Sequence, residues 1–221
     1  MQHNYSMQRG ARRAGFTLVE LLVVISIILI ASSILFVGGS GGDGAKLSSS
    51  QRIVSGIVQG ARGQAILKNA DTRLIIHNDV ESDPDKYRRF FGIVYRKTNE
   101  SGEEGWVAAT QGTYLPDGVF FDPELSKDWP EESTMSLEYP RQSVSLEGSG
   151  PQAEEFYYYA FNSNGTVDSD FANSWLAFRV GTLRPDGGSF EISTEGKEAL
   201  KAALILRSAG TTTPVTDPED I

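Results

Sequence analysis

The chain is organised around the stretch Arg12-Arg13-Ala14-Gly15-Phe16-Thr17-Leu18-Val19-Glu20, which continues into Leu21-Leu22-Val23-Val24-Ile25-Ser26-Ile27-Ile28-Leu29-Ile30. A short basic leader meets an almost wholly apolar run, and Glu20 is the one ionisable residue between Phe16 and Val37. As a helix, 16–37 would be roughly 33 Å long, about one hydrocarbon core. Inserting a carboxylate into lipid costs roughly 3 kcal/mol of free energy at mid-bilayer and less near the interface. We therefore expect Glu20 to have a specific function that offsets this cost.

The apolar run has three competing interpretations. It is a cleaved secretory signal with Ala31-Ser32-Ser33 as its cleavage site, a plain uncleaved anchor, or an anchor that is cut before the apolar run. The residues favour the third interpretation. Gly15-Phe16-Thr17-Leu18-Val19-Glu20-Leu21-Leu22 resembles the type IV prepilin signature, which is a glycine followed by Phe-Thr-Leu-hydrophobic-Glu and an aliphatic helix.

This resemblance implies roles for three residues. A membrane aspartyl prepilin peptidase would cut after Gly15 on the cytoplasmic side, N-methylate Phe16 and leave the apolar helix in place. Glu20 would be the fifth residue of the mature protein and would pair with the terminal amine of a neighbouring subunit. Glycine leaves the scissile backbone unobstructed, and the positive end of a helix dipole favours a carboxylate at Glu20. The alternative role for Glu20 is that it merely caps its own helix.

The composition predicts an acidic domain behind this segment. The 221-residue chain has no cysteine, so it has no disulfide or thiolate metal site. Its net charge is −9; without the leader, which holds Arg9, Arg12 and Arg13, 17 Lys and Arg face 29 Asp and Glu, a net of −12. An acidic head argues against nucleic-acid binding through a broad basic face. The arginines predict that the N-terminus stays cytoplasmic. We therefore expect a cleaved cytoplasmic leader over 1–15, a transmembrane helix over 16–37, a Gly-rich hinge over 38–44, a periplasmic head over 45–210 and a disordered tail over 211–221.

Residues 45–69 have helical periodicity. Apolar side chains recur mostly at spacings of three, four and seven, which places them on one face. They are Leu47, Val54, Ile57, Val58, Ala61 and Ala65. We expect this amphipathic helix to pack on a sheet rather than on a membrane surface. Five glycines in 38–44 argue against a stable helix in that segment, since each costs about 1 kcal/mol relative to Ala. The segment is a hinge or flexible linker between anchor and head, or a helical section that melts and extends.

After Asn69 the pattern changes to strands rich in branched and aromatic residues. The predicted strands are 72–76, 90–95, 106–109, 156–161, 175–180, 189–193 and 200–206, and 114–121 is predicted as a turn that leads into a strand. Pro185-Asp186-Gly187-Gly188 is a hairpin signal. Residues 122–152 are polar, and we expect a long loop there with one short strand near 135–139. One N-terminal helix followed by antiparallel strands is an α+β fold.

The head has a family resemblance of its own. Gly60–Ile66 on the helix, Trp106, Leu115–Phe121 and Phe161–Val167 together look like the H-type minor pseudopilins of type II secretion, a family that also contains the FimT-like minor pilins. The resemblance implies a non-enzymatic filament subunit in the bacterial inner membrane. Its partners would be other pseudopilins or pilins, prepilin peptidase and a secretion or pilus assembly platform. The 122–152 insertion, the glycine run and the lack of cysteine depart from related proteins.

No catalytic, cofactor or metal site is predicted from the residues. His77 is expected at the surface, and the alternating acids Asp79, Glu81, Asp83 and Asp85 are expected to form a solvated loop rather than a calcium site. Asp168 and Asp170 are an equally weak signal, and Asn164-Gly165-Thr166 is explained as a turn. Two alternatives remain: a minor pilin of a surface type IV pilus used in adhesion, motility or DNA uptake, and a membrane-tethered periplasmic enzyme or ligand-binding domain.

Overall fold

A computed structural model describes residues 18–19, 21–26, 41–148, 150–186, 189–215 and 218–220. The chain divides into two compact units, Met1–Gly42 and Asp43–Ile221. In the first unit, residues 18–19 and 21–26 are helical. The second unit is the head, which contains most of one helix, α1 (Gly41–Lys68), and the strands.

The described strands of the head are β1 Thr72–His77, β2 Phe90–Thr98, β3 Glu104–Ala108, β4 Thr113–Tyr114, β5 Val119–Phe121, β6 Thr134–Leu137, β7 Glu154–Phe161, β8 Trp175–Val180, β9 Thr182–Asp186, β10 Ser189–Ser193, β11 Lys201–Arg207 and β12 Thr211–Val215. They form three antiparallel groups among the described residues. The first sheet has the order β3-β2-β1-β7-β6, with β4 paired to β2, and the second has the order β12-β11-β8-β5. Strands β9 and β10 form a separate hairpin. Short 3-10 helices lie at Ser169–Phe171 and Pro218–Asp220.

This arrangement of one helix and antiparallel sheets confirms the α+β prediction. The helix also packs as its periodicity predicts, because Leu47, Val54, Val58, Ala61 and Ala65 are buried and Ile57 is half-buried. It ends at Lys68, since Asn69 adopts a left-handed φ of 48° and the N–H of Ala70 donates to the carbonyl of Ala65 at 3.2 Å.

The described part of the glycine run over 38–44 is helical. The helix begins at Gly41 and includes Gly42 and Gly44, while 38–40 lie outside the described residues. Asp43 explains how a glycine-rich turn stays helical. Its carboxylate lies 3.2 Å from Nζ of Lys46 and 3.0 Å from Nζ of Lys197 in the loop before β11. A carboxylate in the first helical turn also stabilises the helix end, and these contacts offset the low helix propensity of glycine.

Two hydrophobic cores lie on opposite faces of the first sheet. The main core is formed by α1 together with residues of both sheets, and it includes Leu74 and Ile76 of β1. The second core includes Ile75 of the same strand and is completed by Tyr139 from the 138–147 segment. Because successive strand side chains point to opposite faces, a central strand covered on both sides needs an unbroken apolar run. This explains the sequence Leu74-Ile75-Ile76.

The expectation of a disordered tail over 211–221 is wrong for its first half. Thr211–Val215 forms β12, which pairs along its length with β11. Threonine suits an extended, half-buried strand, and Gly210 with φ 75° makes the turn that returns the chain to β11. The hydroxyls of Thr212 and Ser55 lie 2.7 Å apart, which joins β12 to α1.

The long insertion over 122–152 contains β6, close to the short strand expected near 135–139. The predicted hairpin around 185–188 is also present, but its first strand is β9 rather than β8. β8 instead pairs with β5 and β11 in the second sheet.

Candidate functional site

The described part of the N-terminal unit is helical and carries exposed apolar side chains. Leu18, Val19 and 21–25 are between 48% and 79% exposed. The hydroxyl of Ser26 donates to the carbonyl of Leu22 at 2.8 Å, so the one polar side chain at 21–26 is satisfied within the helix. A continuous apolar surface of this kind suits lipid or other apolar helices better than water.

The predicted site residues Gly15, Phe16 and Glu20 lie outside the described residues, as do 27–40. Cleavage, N-methylation and the assembly role of Glu20 therefore stay predictions. No helix within the described ranges is both long and apolar enough to cross a membrane.

His77 corrects the expectation of a surface histidine. Its side chain is 0% exposed at the end of β1, with its ring edge-on to that of Phe156 at 5.3 Å between centroids. Nε2 lies 3.5 Å from Oε2 of Glu154. Burial lowers the pKa of the imidazole, and the nearby Glu154 carboxylate opposes that shift. His77 follows directly on the apolar run of β1 and is buried with it. The expectation of a surface position rested on the lack of other histidines and cysteines nearby, which says nothing about burial.

The acidic loop after β1 is a surface turn in which carboxylates bond the backbone. Asp79 Oδ1 accepts from the N–H of Ser82 at 3.0 Å, and Asp83 Oδ1 accepts from that of Asp85 at 3.1 Å. Lys86 lies 3.5 Å from the other oxygen of Asp83. Within the described ranges, no three His, Asp or Glu side chains are grouped so that they could hold a metal ion.

Two other weak sequence signals are structural turns. Asp168 caps the 3-10 helix at Ser169–Phe171 by accepting from the N–H of Asp170 at 3.2 Å. Asn164 accepts from the N–H of Thr166 at 3.0 Å, and Gly165 has a φ of 83°. The turn interpretation of Asn164-Gly165 is thus sufficient.

Two charged arrangements in the head were not predicted from the sequence. The guanidinium of Arg73 is stacked between the rings of Trp106 and Tyr158, with centroids 4.3 Å and 3.7 Å away. Burial lowers the pKa of Arg73, and the Tyr158 and Glu147 side chains oppose the shift. The only sequence signal is that Arg73 stands inside an apolar strand. This position does not predict which aromatic rings the guanidinium contacts.

The second arrangement is an ion pair between a buried carboxylate and a half-buried guanidinium. Asp122 is buried, and its Oδ2 lies 2.6 Å from Nε of Arg179 on β8. Burial raises the pKa of the Asp122 carboxyl, while the Arg179 charge lowers it. Asp122 directly follows the apolar strand β5. A charged residue in that position could have been used to predict a buried carboxylate that needs a cationic partner.

An open groove of about 500 Å³ runs between α1 and the edge strand β12. Gln51, Ser55 and Gly56 line it from α1, and Thr212 and Pro214 line it from β12. A Cβ added at Gly56 would meet no atom within 4 Å, so the helix surface is uncovered there. The exposed guanidinium of Arg52 also lines this groove and has no ion-pair partner among the described residues.

Comparison with known proteins supports the N-terminal signal most directly. Residues 10–36 match the prokaryotic N-terminal methylation motif. A search of curated proteins found no match. A crystal structure of the type IV minor pilin FimU from Pseudomonas aeruginosa strain PAO1 is similar at 13% identity, with a TM-score of 0.38, over 79% of this chain and 91% of that chain.

Proposed function

We propose that this chain is a minor pseudopilin, a structural subunit of a type II secretion filament that resembles a type IV pilus. The match of residues 10–36 to the prokaryotic N-terminal methylation motif carries the proposal. That range contains Gly15, Phe16 and Glu20 at the places that the prepilin signature assigns to cleavage, methylation and assembly.

Processing would separate the leader from the subunit. A prepilin peptidase cuts between Gly15 and Phe16 and methylates the new terminal amine, while the apolar helix stays in the membrane. Arg9, Arg12 and Arg13 hold the leader on the cytoplasmic side, so the head lies in the periplasm.

Glu20 would direct assembly. Its carboxylate pairs with the methylated amine of Phe16 in a neighbouring subunit, because two paired charges are far cheaper in an apolar environment than either charge alone. The exposed apolar side chains of Leu18, Val19 and 21–25 support this role, since they supply the surface along which neighbouring helices pack. The groove between α1 and β12 gives the head an uncovered face for neighbouring subunits.

The proposal also says which machine the filament belongs to, a type II secretion system rather than a surface pilus. The short head motifs at Gly60–Ile66 and Phe161–Val167 are similar to those of the H-type minor pseudopilins, which is the reason for proposing a secretion filament, and that family also contains the FimT-like minor pilins. A minor pilin of a surface type IV pilus is the alternative. Deleting the gene separates the two, since secretion fails with pili intact in one case and surface pili are lost in the other.

Mass spectrometry of the full chain produced in membranes with a prepilin peptidase tests the processing step. We expect a chain that begins at N-methylated Phe16, and unprocessed chain when the peptidase is absent. A Gly15→Val variant should stay unprocessed because its branched side chain obstructs the scissile bond. A wild-type chain that begins at Ile34, or still at Met1 with active peptidase, would contradict the proposal.

A further inference from the structure

His77 closes the inner end of the acidic loop that follows β1. Its ring is wholly inaccessible, and neither ring nitrogen has a hydrogen-bond partner among the described residues. The backbone carbonyl of His77 accepts from the N–H of Arg88 at 3.0 Å, so the loop starts and ends at this histidine. Because the ring is wholly inaccessible, water reaches the imidazole only when a surrounding segment moves, and residues 78–89 are bonded to the His77 backbone and place Lys86 on Glu154.

The charges around His77 come from two elements. From β7, Glu154 places Oε2 3.5 Å from Nε2 of His77, while its other oxygen accepts from Nζ of Lys86 at 2.7 Å. From the loop, Lys86, Asp79 and Asp83 face the imidazole at longer range. The Glu154 carboxylate is thus already paired with Lys86. A protonated His77 would have to share that carboxylate with Lys86.

We infer that His77 is an acid-sensitive latch for residues 78–89. With a neutral imidazole, the segment closes over the end of β1 and is held to β7 by the Lys86–Glu154 pair. With a charged imidazole, the closed state buries a cation beside another cation, and the segment opens so that water can solvate the ring.

The direction of this effect follows from linkage. Burial is the largest influence on His77 and lowers its pKa, Lys86 lowers it further, and Glu154, Asp79 and Asp83 raise it. A histidine whose pKa is lower in the closed state than in the open state disfavours closure as the pH falls below its ordinary value of 6.5. Each unit of lowering corresponds to about a tenfold shift toward the open state once both forms are protonated.

The latch controls the wall of a groove. Lys86 and Glu154 line a depression of about 720 Å³ together with Tyr139 and Pro140. Opening of the segment would separate Lys86 from Glu154 and remove that side of the groove. The exposed acids Glu81 and Asp85 would move away from the sheet with it.

Histidine NMR of the full chain in detergent micelles tests the first step. The chain has two histidines, His3 and His77, so a His77→Phe variant assigns the signals. We expect a pKa below 6.5 for His77, a higher value in Lys86→Met and a lower value in Glu154→Gln. A pKa of 6.5 or above in the wild type would overturn the inference.

Hydrogen exchange between pH 7.5 and pH 5.5, corrected for the intrinsic pH dependence of exchange, tests the second step. In the wild type we expect amides of 78–89 to lose protection in acid by the factor that the measured pKa shift gives, while α1 keeps its protection. His77→Phe preserves the ring contact with Phe156 and should remove most of this acid response. An equal response in both proteins would show that other groups open the loop.

Discussion

The hydroxyl of Tyr139 lies against the backbone of Gly92 in the middle of β2. It donates to the carbonyl of Thr110 at 2.8 Å, and Thr110 Oγ1 in turn accepts from the N–H of Ile93 at 3.1 Å. A Cβ at residue 92 would overlap the Tyr139 hydroxyl. Glycine at this position therefore allows the 138–147 segment to close the second core.

Gly92→Ala should lower the free energy of unfolding by about 1–3 kcal/mol, because the added methyl displaces Tyr139 or the strand. Gly56→Ala is the matched control, since its methyl meets no atom within 4 Å and alanine favours the helix. Urea unfolding of both variants in the full chain checks the prediction. Equal stability of the two variants would mean that the 138–147 segment adjusts freely.

Asp43 should hold the first turn of α1 through its ion pairs. The hydrogen bond with Lys197 is the main cause that lowers the pKa of Asp43. A carboxyl whose pKa is lowered in the folded state stabilises the fold above its ordinary value of 3.8, and this contribution is lost as the pH falls through the lower value. Hydrogen exchange at 42–47 should therefore speed up in Asp43→Asn at pH 7, and the difference from wild type should shrink in acid. Lys197→Met should have a larger effect than Lys46→Met; the reverse order would assign the helix start to the local pair.

The ion pair of Asp122 and Arg179 should be strongly coupled. Arg179→Met leaves a buried carboxylate without its partner, which costs about 3–5 kcal/mol of stability. The loss should be greater at pH 8 than at pH 5, because burial raises the pKa of Asp122 and protonation in acid removes the unpaired charge. The double variant Asp122→Asn with Arg179→Met should be less destabilised than Arg179→Met alone. Additive losses in denaturant unfolding would show that the two charges act independently.

Glu20→Ala should leave processing by prepilin peptidase largely intact but impair incorporation into filaments. The carboxylate is proposed to act after cleavage, when it pairs with a neighbouring amine. Ser26→Ala is a control in the same apolar run, since its hydroxyl bonds only the carbonyl of Leu22 among the described residues. Cell fractionation and filament pull-down measure the two steps. Normal incorporation of Glu20→Ala would remove the assembly role of this residue.

The sequence predicts the periodic elements of the head well. The α1 stripe from Leu47 to Ala65 and the apolar runs of β1 and β7 are confirmed, because burial on a sheet imposes these patterns directly. The turn residues predict the hairpin β9–β10, but the sequence pattern does not predict its first strand, β9.

The features that the sequence did not predict have a common physical cause. Each depends on a contact between residues that are far apart in the sequence. Gly41–Gly44 is helical because Asp43 contacts Lys197, and 211–215 is a strand because β11 offers an edge. His77 is buried at a place where Phe156 and Glu154 of β7 lie against its ring. Local propensity carries no information about such partners.

The place of β12 also bears on how the head folds. It forms one edge of the second sheet, and the hydroxyl of its Thr212 bonds Ser55 of α1, so elements that are far apart in the sequence meet there. Contacts of such long sequence separation form slowly, because a long stretch of chain must close before they can be made. The second sheet and its contact with the helix should therefore form late in folding, and a substitution in β12 would be felt at the opposite end of the head's sequence.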